Sequence, residues 1–154
     1  MLHWYYLGVD RKLAIKAIES YLPSNNRSQL IEKNSNKIYL DAYNANPSSV
    51  AKAIENLASQ SEMNKIAILG DMYELGSHSN EQHLSMLDML KSNLIHAILC
   101  GPEYAKHQSK FPTFSFFETI DLLKEFLILN PVKNTTILIK GSRGMAMERI
   151  LDII

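Results

Sequence analysis

The spacing of apolar residues changes repeatedly along the chain, and each period predicts an element. Leu13, Ala14, Ala17, Ile18 and Tyr21 share one helical face, which predicts a helix from Asp10. The turn residues at 22–26 end it. Two short β-like runs follow, 29–32 and 37–40, and the polar linker 33–36 between them predicts a hairpin. A helix over 47–59 carries Val50, Ile54, Leu57 and Ala58 on one face. The run 65–69 reads as a buried strand, and 79–92 as a helix with Leu84, Leu87 and Leu90 inward. Then come a strand over 95–100, a short helix over 103–108 and a short strand over 114–116. Residues 118–129 form a helix with Ile120, Leu123 and Leu127 aligned, and 135–139 the last strand. A final helix is expected to carry Met147, Ile150, Leu151 and Ile154.

Strands separated by crossover helices predict an α/β fold: a doubly wound, mostly parallel sheet of about six strands with helices on both faces. The hairpin adds one antiparallel edge strand. The polar stretch near 22–27 marks a boundary. Trp4, Tyr5 and Tyr6 before it are costly to leave in water and are expected to pack against something.

Composition narrows the partners. Lys plus Arg and Asp plus Glu are equal at 16 each, so nothing points to nucleic acid as the main partner. The single cysteine, Cys100, excludes an internal disulfide and suits a reducing compartment. No apolar run approaches the roughly 18 residues of a bilayer span. The first residues lack the pattern of a signal peptide. A cytoplasmic protein without membrane insertion is expected.

Polar chemistry concentrates at three strand ends, which the topology puts on one edge of the sheet, where open α/β sheets bind ligands. The first is Asp41-Ala42-Tyr43-Asn44-Ala45-Asn46-Pro47. Asn46 as N-cap and Pro47 as first helical residue need no ligand. Capping does not account for Asp41, Tyr43 and Asn44. The second is Gly70-Asp71-Met72-Tyr73-Glu74, where Asp71 and Glu74 could orient an amine. The third is Lys140-Gly141-Ser142-Arg143-Gly144. Its glycines, its two cations and the helix expected after it suit a carboxylate or phosphate. The alternative is a tight turn with solvated basic residues. The Gly-x-x-x-x-Gly-Lys-Ser/Thr phosphate loop is absent. His83 in a helix, Cys100 at a strand end and the pair Met86 and Met89 read as structural. His78, His83, Asp71 and Glu74 match no ligand spacing, so no metal site is expected here.

Taken in order, these motifs resemble a known family. Arg27, the stretch 41–47, Leu69-Gly70-Asp71-Met72-Tyr73-Glu74-Leu75-Gly76 with His83, and Ile139-Lys140-Gly141-Ser142-Arg143-Gly144-Met145 with Glu148 resemble the C-terminal domain of the Mur ligases. The match is nearest to the members that add D-alanyl-D-alanine to UDP-N-acetylmuramoyl-tripeptide in peptidoglycan synthesis. The resemblance implies a Rossmann-like domain over residues 23–154, preceded at 1–22 by the last helix of a central ATPase domain. It implies ATP with Mg2+, whose phosphate and metal sites lie mainly on domains outside this chain, and no ligase activity for the chain alone. It assigns Arg27, Asp41, Tyr43, Asn44 and Asn46 to ATP, with Asp41 on the ribose. It assigns Asp71, Glu74, Lys140, Gly141, Ser142 and Arg143 to the incoming substrate. Leu40 and Ala42 stand where many relatives carry an acidic residue and a serine. Two alternatives remain at this stage: another amino-acid-adding Mur or folylpolyglutamate synthetase-like ligase, and a non-catalytic module that binds a small anion.

Overall fold

The computed structural model describes residues 28–154 and, before them, Asp10, Lys12, Leu13 and Ile15. Asp10 starts the first helix as expected: its Oδ1 accepts from the N–H groups of Lys12 (2.9 Å) and Leu13 (3.1 Å). Trp4, Tyr5, Tyr6, Arg27 and the rest of that helix's apolar stripe lie outside the described residues.

The hairpin is β1 (Gln29–Lys33) and β2 (Asn36–Asp41). After it come α1 (Pro47–Ser59), β3 (Lys65–Gly70), α2 (Ser79–Ser92) and β4 (His96–Cys100). The remainder is α3 (Pro102–Ala105), β5 (Ser115–Phe117), α4 (Ile120–Leu129) and β6 (Thr136–Lys140). The strands form one sheet in the order β1-β2-β6-β3-β4-β5. Only β1 and β2 pair antiparallel; the other four pairs are parallel. The predicted α/β fold is thus present.

The inner strands are buried on both faces, so they read as unbroken apolar runs rather than alternating ones. Successive side chains still part to opposite sides. Leu69, Leu99 and Leu138 pack with Val50, Ile54 and Leu57 of α1 and with Leu87 and Leu90 of α2. Ile68, Ile98, Ile137 and Ile139 pack with Leu123 and Leu127 of α4 and with Met147 and Ile150 near the C-terminus. Fully burying each such side chain contributes about 1.5–3 kcal/mol. The helices after β2 and β3 therefore cover one face, and α4 together with the chain after β6 covers the other. Between β2 and β3, β6 is flanked on both sides by connections that diverge from its own. Crevices open at its carboxyl end for that reason.

Several expectations need correction. The helix expected after β6 is not an α-helix. Residues Arg143–Met145 and Met147–Ile150 form two 3-10 turns, because Ala146 between them is left-handed (φ 49, ψ 45) and breaks the ladder. The apolar spacing survives, since Met147, Ile150 and Ile154 are buried. The anion-binding helix start expected after Gly144 does not form. The short helix α3 stops at Ala105 and gives way to a 3-10 turn at Gln108–Lys110. Helix α4 starts at Ile120 rather than at 118, where Thr119 caps it by accepting from the Leu122 N–H. Leu84 faces inward as expected, half-buried against the core.

Candidate functional site

The site is built outward from β6. In the parallel pairing of β2 and β6, Asp41 stands opposite Lys140. The Lys140 side chain is 1% exposed. Its ammonium donates to Asp41 Oδ2 (2.5 Å) and to the carbonyl oxygen of Asn44 (2.9 Å). Asp41 keeps 27% of its side chain exposed, and its Oδ1 accepts a long bond from the Ser28 N–H (3.4 Å). The strand end and the turn after it are thus tied to one buried cation.

The rest of that turn divides into scaffold and surface. Asn46 closes a capping box: its Oδ1 accepts from the Ser49 N–H (2.9 Å), and Ser49 Oγ accepts from the Asn46 N–H (3.2 Å). Asn44 Oδ1 accepts from the Ala45 N–H (2.9 Å), which shapes the turn. Tyr43 and Asn44 are exposed. A cavity of about 390 Å³ is lined by Asp41, Ser28 and Tyr39 and by Ser49, Lys52 and Asn56 of α1. A carboxylate in such a place can accept from the two hydroxyls of a sugar.

The end of β3 is different in kind. Asp71 is fully buried. Its Oδ2 accepts from the Glu103 N–H (2.9 Å) and its Oδ1 from the Tyr104 N–H (3.0 Å), so it caps α3. Gly101 covers it at φ +124, and a Cβ there would stand 2.2 Å from Asp71 Cγ. His83 is also buried: Nε2 accepts from the Met72 N–H (2.9 Å), and Nδ1 donates to the Ser79 carbonyl (2.7 Å). That pair of bonds assigns its proton to Nδ1. Burial pushes the Asp71 carboxyl above its usual range, against the opposing pull of the two N–H groups. Asp71 is therefore withdrawn from the residues expected to line the cleft. Glu74 is exposed, at a left-handed φ of 64. With Tyr73, Ser77, Asn80, Glu103 and Lys106 it borders an open groove of about 530 Å³. Burial likewise pushes the Cys100 thiol up to about 12, in keeping with its expected core role.

The turn after β6 joins these two regions. Ser142 is 3% exposed; its N–H donates to the Asp71 carbonyl (3.1 Å), and its Oγ accepts from the Tyr73 N–H (2.8 Å). Gly141 lets the loops touch, since a Cβ there would lie 3.1 Å from the Gly70 Cα. Gly144 does the same under the Tyr73 ring, whose hydroxyl donates to Met145 Sδ (2.9 Å). Arg143 is exposed and pairs with Glu148 Oε1 (3.1 Å).

Two expectations change here. Lys140 and Ser142, expected at the surface of the turn, are both buried and bonded to the protein. Of the two cations in the turn, Arg143 is the one at the surface. Sequence reasoning missed the Lys140–Asp41 pair and the clamp on Tyr73. The signal for the first lay in β6 lying beside β2, which no local pattern carries. Among the described residues, no group of three or more His, Cys, Asp or Glu side chains is placed to hold a metal.

The chain matches the family described as "Mur ligase, glutamate ligase domain" over residues 26–143. The UDP-N-acetylmuramoyl-tripeptide–D-alanyl-D-alanine ligase of Treponema pallidum is 32% identical over 94% of this chain and 33% of its own length. The ligase of that name from Bacillus subtilis is 30% identical over 95% of this chain and 34% of its own. Among solved structures, MurF ligase from Thermotoga maritima in complex with ADP superposes with a TM-score of 0.75. It is 26% identical, over 97% of this chain and 34% of that one. The chain spans about a third of the length of the curated relatives it matches. The fold, the motif-bearing edge and these matches together show that the chain belongs to the Mur ligase family, through its glutamate ligase domain.

Proposed function

We propose that this chain is the C-terminal, substrate-closing domain of a cytoplasmic ATP-dependent ligase that joins D-alanyl-D-alanine to UDP-N-acetylmuramoyl-tripeptide. One observation carries the reading: Asp41 is a half-open carboxylate held at the switch beside β6, next to a ligand-sized cavity. The relatives' shared name supports the substrates, and the ADP complex of the Thermotoga maritima structure supports the nucleotide.

In this reading ATP supplies the phosphoryl group that activates the tripeptide's carboxylate toward the dipeptide amine. This chain's residues bind and orient. Asp41 accepts from the ribose hydroxyls, with Tyr43 and Asn44 exposed beside it and Asn46 holding the turn as a cap. Arg27 is proposed to reach the nucleotide from the preceding loop. Exposed Arg143 is the cation for the dipeptide's carboxylate, with Gly141 setting the approach of its loop. Glu74 borders the groove where the amine end would lie. The phosphate cradle and Mg2+ are assigned to the domains before this one, which fits the missing phosphate loop in the sequence. Residues 1–22 are assigned to the end of the central domain and 23–154 to this one. The family match, which begins at residue 26, supports that boundary.

The test compares the purified chain with the full-length ligase that carries it. ATP, tripeptide substrate and dipeptide are supplied, and phosphate release is measured. Turnover is expected from the full-length protein alone. Turnover by the isolated chain would overturn the assignment.

A further inference from the structure

We propose that Lys140 is a positioning residue for the nucleotide, acting through Asp41. The inference rests on the reading of Asp41 given above. Three observations carry it. Lys140 is 1% exposed, so its ammonium is closed to a substrate carboxylate. It donates at once to Asp41 Oδ2 and to the Asn44 carbonyl, so one group fixes both the carboxylate's rotamer and the turn beyond it. Asp41 Oδ1 keeps only a long contact, 3.4 Å from the Ser28 nitrogen, among the bonds of the described residues. Asp41 itself lines the adjoining cavity, where a ligand can meet it.

The chemistry explains why a charge lies at the end of an inner strand. A buried ion pair is a poor stability device, because desolvation of both ions offsets most of their attraction. An apolar pair of similar volume would hold β2 to β6 as well. What the apolar pair could not supply is a carboxylate held in one orientation before the sugar arrives. A pre-positioned acceptor spares the ligand the cost of ordering it.

The experiment uses the full-length ligase and three variants: Asp41→Asn, Lys140→Met and the double variant. KM for ATP, KM for D-alanyl-D-alanine and kcat are measured for each. Lys140→Met is expected to raise KM for ATP about tenfold or more, the scale of one lost charge-assisted bond. KM for the dipeptide is expected to stay within about twofold, a split that a general loss of structure would not give. In KM for ATP the double variant is expected to match Asp41→Asn alone, since Lys140 reaches the nucleotide through Asp41. It buries no unpaired charge, so it keeps the test available where Lys140→Met alone does not fold. A normal KM for ATP in Lys140→Met overturns the inference. So does a raised dipeptide KM in Lys140→Met, or a further rise in ATP KM from Asp41→Asn to the double variant. An unchanged KM for ATP in Asp41→Asn instead overturns the nucleotide reading itself, and the two failures are thereby distinguished.

Discussion

Two aspartates end or follow parallel strands on the same edge of this sheet, and they do opposite work. Asp41 ends β2 beside a buried lysine and stays partly open to solvent. Asp71 follows β3 beneath a glycine and is closed off, with both oxygens bonded to backbone N–H groups. Their local sequences do not account for the contrast. What differs is the element that arrives from elsewhere in the chain: β6 beside Asp41, and the start of α3 over Asp71. A strand-end carboxylate thus stays half-open or becomes a buried cap according to which donors the fold brings to it.

The contrast is sharpest in stability. Asp71→Ala leaves two N–H donors unpaired inside the protein and is expected to cost about 3–5 kcal/mol, whereas Asp41→Asn keeps an acceptor for Lys140 and is expected to cost about 1–2 kcal/mol. Urea unfolding of both variants checks the order, and a reversed order would dissolve the distinction. Gly101→Ala probes the lid over Asp71. The positive φ and the 2.2 Å approach to Cγ leave no room for a methyl group, and a loss of about 3 kcal/mol is expected. A variant as stable as the parent would show that Asp71 is less enclosed than described.

Ser142→Ala tests the clamp between the two regions. Losing the acceptor for the Tyr73 N–H is expected to cost about 1–2 kcal/mol, with Tyr73 fluorescence changing before global unfolding. The smallest effect is a pH dependence in the packed region. Burial, aided by Lys110, holds His107 below its usual range. The unfolded chain therefore binds the proton more readily, and His107 contributes stability that falls as pH drops below about 6.5. His107→Gln is expected to flatten that limb. An unchanged acid limb in thermal melts would assign it to other groups.

Much of this was legible in the chain itself. Helix α1 begins where Asn46-Pro47 says it should, because a cap and a proline act within one turn. Helix α2 runs over its predicted residues, Ser79–Ser92. The segment after β6 misled, because Met147, Ile150 and Ile154 keep helical spacing while Ala146 turns left-handed between them. Periodicity reports which side chains are buried, not which hydrogen bonds close. Asp71, Lys140 and Ser142 misled for a related reason. Polar residues clustered at an edge look alike in sequence whether they face solvent or each other.

The alternation of strands and helices, the polar edge and the family can all be read along the chain. These depend on local period, turn chemistry and motif order, all carried by near neighbours along the chain. Which polar residues stay at the surface came from the long-range packing alone. Lys140 meets Asp41 across 99 positions, and Ser142 meets Tyr73 across 69. Such contacts arise because β6, last in the chain, inserts between β2 and β3, and a buried charge or donor must then be satisfied by whatever that insertion brings beside it.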